Sequence, residues 1–137
     1  VVLARAAGCL VWLPAKFQSV RTPNFGPSMQ SRTATKSEKR HLLLSRLVPC
    51  LACALFHDEP DTPAEYHHTS GKTAPECHFK GFSLCVNHHR IKDSHKPPRW
   101  ISRHGDGLAA FEQRYMPESS FVLEHKRALK VLEAMTV

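Results

Sequence analysis

Cysteine and histidine are the residues of this 137-residue chain whose types and spacing point to chemistry; it has five of the first and ten of the second. Cys50-Leu-Ala-Cys53 is a C-x-x-C turn, and 32 positions after Cys53 comes Cys85-Val-Asn-His88, a C-x-x-H turn. Each turn presents a pair of soft or borderline ligands, and two pairs make the four-ligand tetrahedral set that structural Zn2+ prefers. Buried free cysteines would explain Cys50 and Cys53 taken alone. Disulfide pairing fits less well, because five is an odd number, Cys9 and Cys77 stand outside the set, and no secretion signal is evident.

Between the half-sites lies Glu65-Tyr66-His67-His68-Thr69-Ser70-Gly71. Tyr66 and its neighbours suit a short strand, and Gly71 permits the turn that follows. After Leu84, the stretch Cys85 to Lys92 lacks Gly and Pro and starts a helix. On it His88 and His89 point about 100° apart, so one faces the zinc and the other faces the strand bearing His67 and His68. The spacing does not say which does which. Strand, loop, strand and helix with histidines on strand and helix is a ββα-metal arrangement, and the expected fold class is α+β.

Such a module is too small to bury much surface, so other elements must hold it. Thr35 or Ser37 caps a helix carrying Leu42, Leu43 and Leu47, which Pro49 ends. The run Leu47–Phe56 is too short to cross a bilayer, and no membrane association is expected. Asp106 is placed to cap a helix through Tyr115 that buries Leu108, Phe111 and Tyr115. After Pro117, Ser119 or Ser120 starts a last helix whose apolar face carries Phe121, Val122, Ala128, Leu129, Leu132 and Met135.

The charge is unevenly spread. Nineteen Lys and Arg against twelve Asp and Glu give +7, yet five of the basic residues and none of the acidic ones fall in residues 1–37. That segment reads as a mostly unstructured basic arm that meets a polyanion, with a remnant of a transit peptide as the plainer alternative. Residues 38–137 are the folded domain. Within it Lys72, Lys80, Arg90, Lys92, Lys96, Arg99 and Arg103 surround the histidine motif, where cations fix a phosphate backbone without reading sequence. Trp100, after two prolines, reads as a packing anchor. Composition excludes a collagen, an acidic disordered chain and a polytopic membrane protein.

The ordered set CLAC, YHHTSGK, SLCVNHHR, a downstream His and GLAAFEQRYM resembles the HNH endonucleases, most of all the phage recombination-enhancement, RecA-dependent nucleases. The resemblance covers about residues 40 to 133. It implies a DNA endonuclease with a structural Zn2+ on Cys50, Cys53, Cys85 and His88, and a catalytic Mg2+ or Mn2+. By the same resemblance His68 is the general base, His67 and His89 hold the catalytic ion with Asp93 one helical turn on, and His104 contacts phosphate or supports the site. Lys72, Arg90, Lys92, Arg99 and Arg103 are the expected DNA contacts. The implied partners are DNA and a RecA filament, the protein a monomer, and the setting the bacterial or phage-infected cytoplasm, with mitochondria as the minor alternative. Met116 replaces the Gly of the family's last element, Cys77 has no assigned role, and no Asn occupies the middle position of H-N-H; Asn87 is in the helix turn and His78 in the loop. That gap keeps a second reading open, a zinc-stapled DNA-binding module without catalysis. A third is a structural subunit using zinc for stability.

Overall fold

The computed structural model describes residues 33–71, 74–91 and 100–136, and the backbone of two further strands near the start. Those are β1 (Val2–Ala6) and β2 (Cys9–Leu13), paired antiparallel with Val2 opposite Leu13 and Ala6 opposite Cys9. The expected arm therefore contains a strand pair, consistent with its apolar and β-branched residues. Residues 14–32 lie outside the described part.

Thr35 caps α1 (Lys36–Ser45), so the first helix begins inside the segment read as the arm. The cap is reciprocal: Glu38 N–H donates to Thr35 Oγ1 at 3.2 Å, and Thr35 N–H donates to Glu38 Oε2 at 2.7 Å. Pro49 separates α1 from α2 (Leu51–Phe56), whose cap is Cys50 itself. β3 (Glu65–His68) then pairs antiparallel with β4 (Gly81–Leu84), across a loop containing a 3-10 turn at Cys77–Phe79. α3 (Val86–His89) follows at once, and α4 (Leu108–Arg114) and α5 (Glu118–Met135) complete the chain. Mixed helices around a two-stranded sheet make this an α+β fold.

The core lies where α5 crosses β4 and meets α1, α2 and α4. Phe82 stacks on Phe121 at 4.9 Å between ring centroids, and Phe111 closes on the same ring at 5.3 Å. Val48, Leu51, Leu84, Ala128, Leu129 and Leu132 fill the space around them. Three expectations change. Leu108 and Met135 are 39% and 47% exposed and do not belong to the core. Asp106 does not cap α4: its carboxylate accepts Ser102 N–H at 2.7 Å, and Gly107, at φ 96°, takes the cap position. α5 starts at Glu118, one or two residues before the serines expected to open it. Among the described residues no helix is long and apolar enough to cross a membrane.

The two-stranded sheet has two working faces. Alternation puts Glu65 and His67 on one side with their partners Leu84 and Phe82, and Tyr66 and His68 on the other with Ser83 and Gly81. Gly81 is required there, because an added methyl group would overlap the His67 carbonyl oxygen and lie 2.7 Å from the Tyr66 ring.

Candidate functional site

The first site is the sulfur cluster. Cys50 and Cys53 stand at the start of α2, and Cys85 and His88 flank α3; all four are buried. His88 Nδ1 lies 3.5, 3.4 and 3.2 Å from the sulfurs of Cys50, Cys53 and Cys85, and the Cys53 and Cys85 sulfurs are 3.7 Å apart. Tetrahedral Zn2+ with its usual bond lengths demands about 3.8 Å between sulfurs and about 3.6 Å from sulfur to nitrogen. The donors are thus already spaced for one ion. Local backbone explains the spacing: Cys53 N–H donates to Cys50 Sγ at 3.4 Å, and Cys50 N–H is anchored on the Thr62 carbonyl at 2.9 Å.

The electrostatics of the cluster call for a cation. Burial pushes the Cys50 thiol up to about 12, and the sulfurs of Cys50 and Cys85 push Cys53 up, while hydrogen bonding from Cys50 and Cys53 holds Cys85 down. Three sulfurs crowded together cannot all ionise unaided, and a divalent ion removes that obstacle. A second layer orients the imidazole. His88 Nε2 is 3.0 Å from the Tyr115 hydroxyl, which also accepts Ile101 N–H at 3.2 Å and lies 3.3 Å from His57 Nε2. With Nδ1 turned to the sulfurs, Nε2–H donates to Tyr115, and Tyr115 donates in turn to His57. Trp100 stacks on both His57 and His88, at 4.6 and 4.4 Å, so it does anchor packing and roofs the His88 ring.

The second site lies on the Glu65 and His67 face of β3. His67, His89 and His104 converge there, with one ring nitrogen from each within 4.8 Å of the others. Strand β3 supplies the first and helix α3 the second. The third comes from the segment after Ile101, which is tied to α3 by hydrogen bonds from Arg103 N–H to the His88 carbonyl at 2.7 Å and from His104 N–H to the His89 carbonyl at 2.9 Å. Gly105 allows this approach, since an added methyl group would meet the Ile91 carbonyl at 2.8 Å. Three imidazoles facing one point are a donor set for a divalent ion. Burial keeps His89 and His104 below the usual histidine range, with the neighbouring His67 adding to the effect. Both therefore favour the neutral form that ligates.

Carboxylates back this triad. His89 Nδ1 lies 2.8 Å from Glu65 Oε2, whose other oxygen accepts from Arg90 at 2.8 Å. His67 Nε2 lies 3.0 Å from Glu118 Oε1, which also accepts from Arg103 Nε. Burial would raise Glu118, but His67 and Arg103 outweigh it and hold the carboxyl below its usual range; His89 and Arg90 do the same for Glu65.

His68 faces the other way. Its Nε2 is 3.1 Å from His78 Nδ1, and its ring meets Tyr66 edge-on at 5.0 Å. Tyr66 in turn donates to the His78 carbonyl and touches His41 and His125. The structure therefore divides the expected catalytic group: His67 and His89 are together, His104 joins them as a third imidazole, and His68 forms a pair with His78 across the strand. Arg90 and Arg103, read as DNA contacts, both rest against carboxylates of this site. Asp93, Lys72, Lys92 and Arg99 lie outside the described residues. Sequence reasoning missed Glu65, Glu118 and Tyr115 as supports, although Tyr115 stands in the FEQRYM element that carried part of the resemblance.

The family model described as Recombination enhancement, RecA-dependent nuclease matches residues 33–129, which contain both sites and four of the five helices in full.

Proposed function

The chain belongs to the recombination-enhancement, RecA-dependent nuclease family, and from that premise we propose that it hydrolyses phosphodiester bonds of DNA as an HNH-type, metal-dependent endonuclease acting on RecA filaments. The observation that carries this reading is the convergence of His67, His89 and His104 on a ββα unit directly beside the sulfur site. These residues would hold a divalent ion, Mg2+ or Mn2+, which would supply positive charge at the phosphorane and the leaving oxygen. Asp93 is the candidate further donor.

His68 is the general base in this reading, and His78 is its orienting group, standing in for the missing Asn. A neutral His68 that donates Nε2–H to His78 carries its basic lone pair on Nδ1, where it takes the proton of the attacking water. His67 and His68 face opposite sides of β3, so His67 would serve the ion and His68 the water from different faces of the strand. Arg90 and Arg103 have carboxylate partners and hold the phosphates through their remaining N–H groups, helped by Lys72, Lys92, Arg99 and the basic arm. The protein works as a monomer in a bacterial or phage-infected cytoplasm.

The placement of His68 away from the triad also favours a second reading, a zinc-stapled DNA-binding module without catalysis. Nicking of supercoiled DNA with Mg2+ or Mn2+, with and without RecA and ATP, separates the two. Cleavage lost in His68→Ala and reduced in His78→Ala, with zinc and fold retained, supports the endonuclease. DNA binding without cleavage under every condition supports the module.

A further inference from the structure

We propose that Glu65 and Glu118 are positioning residues that fix which ring nitrogen His89 and His67 present to the ion. This rests on the three-histidine reading above and deepens it. A carboxylate only accepts hydrogen bonds, so each imidazole must place its proton on the nitrogen facing the carboxylate. For His89 that nitrogen is Nδ1, 2.8 Å from Glu65 Oε2, which leaves the lone pair on Nε2. For His67 it is Nε2, 3.0 Å from Glu118 Oε1, which leaves the lone pair on Nδ1. The two rings thus use opposite nitrogens, a pattern that spacing on strand and helix would not reveal.

Each carboxylate is itself held from two sides. Glu65 is gripped by Arg90, and Glu118 by Arg103. Glu118 also sits at the start of α5, where its own N–H donates to Glu112 Oε1 at 2.9 Å. Arg103 precedes His104, so the Glu118 carboxylate joins the first and third imidazoles of the site through one oxygen. His67 is 2% exposed. A ring so deeply buried cannot exchange its partner for water, and its tautomer follows from Glu118 alone. Outer carboxylates of this kind raise ligand basicity, and losing one costs metal affinity about 10–100-fold.

The test is titration of Co2+ into the zinc-loaded full chain, followed by visible absorption, with zinc content measured in parallel. Wild type is expected to take up one Co2+ beyond its zinc. Glu118→Ala and Glu65→Ala should each weaken that binding about 10–100-fold and shift the absorption band. Glu118→Gln and Glu65→Gln should lose less, because an amide oxygen still accepts the ring N–H. If Glu118→Ala does not fold, Glu65→Ala decides, since Glu65 is partly exposed at a sheet edge. Folded, zinc-loaded alanine variants that bind Co2+ as tightly as wild type would overturn the proposal. A wild type that takes up no second ion overturns this proposal and the three-histidine reading together, whereas Co2+ binding without any nuclease activity counts against the nuclease reading alone.

Discussion

His125 is fully buried in the middle of α5, and acidification should unfold the protein partly through this one residue. Its Nε2 lies 3.0 Å from Ser45 Oγ. Ser45 spends its own proton on the His41 carbonyl at 2.8 Å, so His125 must donate from Nε2 and keep Nδ1 unprotonated. The Ser83 hydroxyl stands 3.5 Å from Nδ1 and donates to the Ser45 carbonyl. Among the described residues a second proton on the ring would meet no anion, and His41 stands 6.2 Å away. Burial first, and His41 second, push His125 down to about 3. In the unfolded chain the same ring titrates near 6.5, so below that pH the unfolded state binds the extra proton and the folded state does not. Stability is complete above about 6.5 and falls as pH drops toward 3, by roughly 1.4 kcal/mol per pH unit. At pH 5 the cost is about 2 kcal/mol. Urea unfolding of wild type and His125→Asn at pH 7.5 and 5.0 measures it. The variant will be less stable at pH 7.5 but should lose about 2 kcal/mol less than wild type on acidification. The subtraction removes the effect of acid on the sulfur site, which both proteins share. Equal losses in the two proteins would refute the assignment of a buried neutral imidazole.

Other expectations concern the zinc layer and the sheet. Cys50→Ser should abolish cooperative unfolding and reduce zinc below one per chain, because ion binding contributes folding free energy; circular dichroism and metal analysis check it. Tyr115→Phe removes the hydroxyl shared by His88, Ile101 and His57, and should weaken zinc about 10–100-fold in chelator competition while leaving the fold intact. Gly81→Ala forces a methyl group onto the His67 carbonyl and should cost about 3 kcal/mol or more in chemical denaturation, since backbone on one side and a packed ring on the other leave no room to relax.

What could be read beforehand was local. Cys50 and Cys53, and Cys85 and His88, stand three positions apart, and a single turn brings each pair together whatever the rest of the chain does. The alternation of His67 and His68 is equally local, and it foretold that the two would not share a face. Glu118 is different, because it meets His67 across 51 positions through the packing of α5 on β4, and no short window contains both. His104 depends on a pair of backbone hydrogen bonds between its own segment and α3. Its place as a third imidazole was invisible to spacing, and the resemblance offered it as a phosphate contact or a support of the site. His125 was legible and overlooked: it follows Phe121 by four and precedes Ala128 by three, so helical periodicity puts it on the buried face. Asp106 shows the opposite failure, a residue of the right type for a cap drawn away by Ser102.

Helix α3 has only four residues, and His88 and His89 are joined by one peptide bond. A helix that short has no stability of its own in water. Its shape is set by what its two ends hold, sulfur on one side and Glu65 on the other. Stripping an ion held by Cys50, Cys53, Cys85 and His88 should therefore release His89 along with His88. Chelators of different strength should then act in two stages on one molecule, a weak one emptying the outer histidine site reversibly and a strong one dismantling the turn that builds it. The two clusters are adjacent in the chain, and neither can drift in position without carrying the other with it.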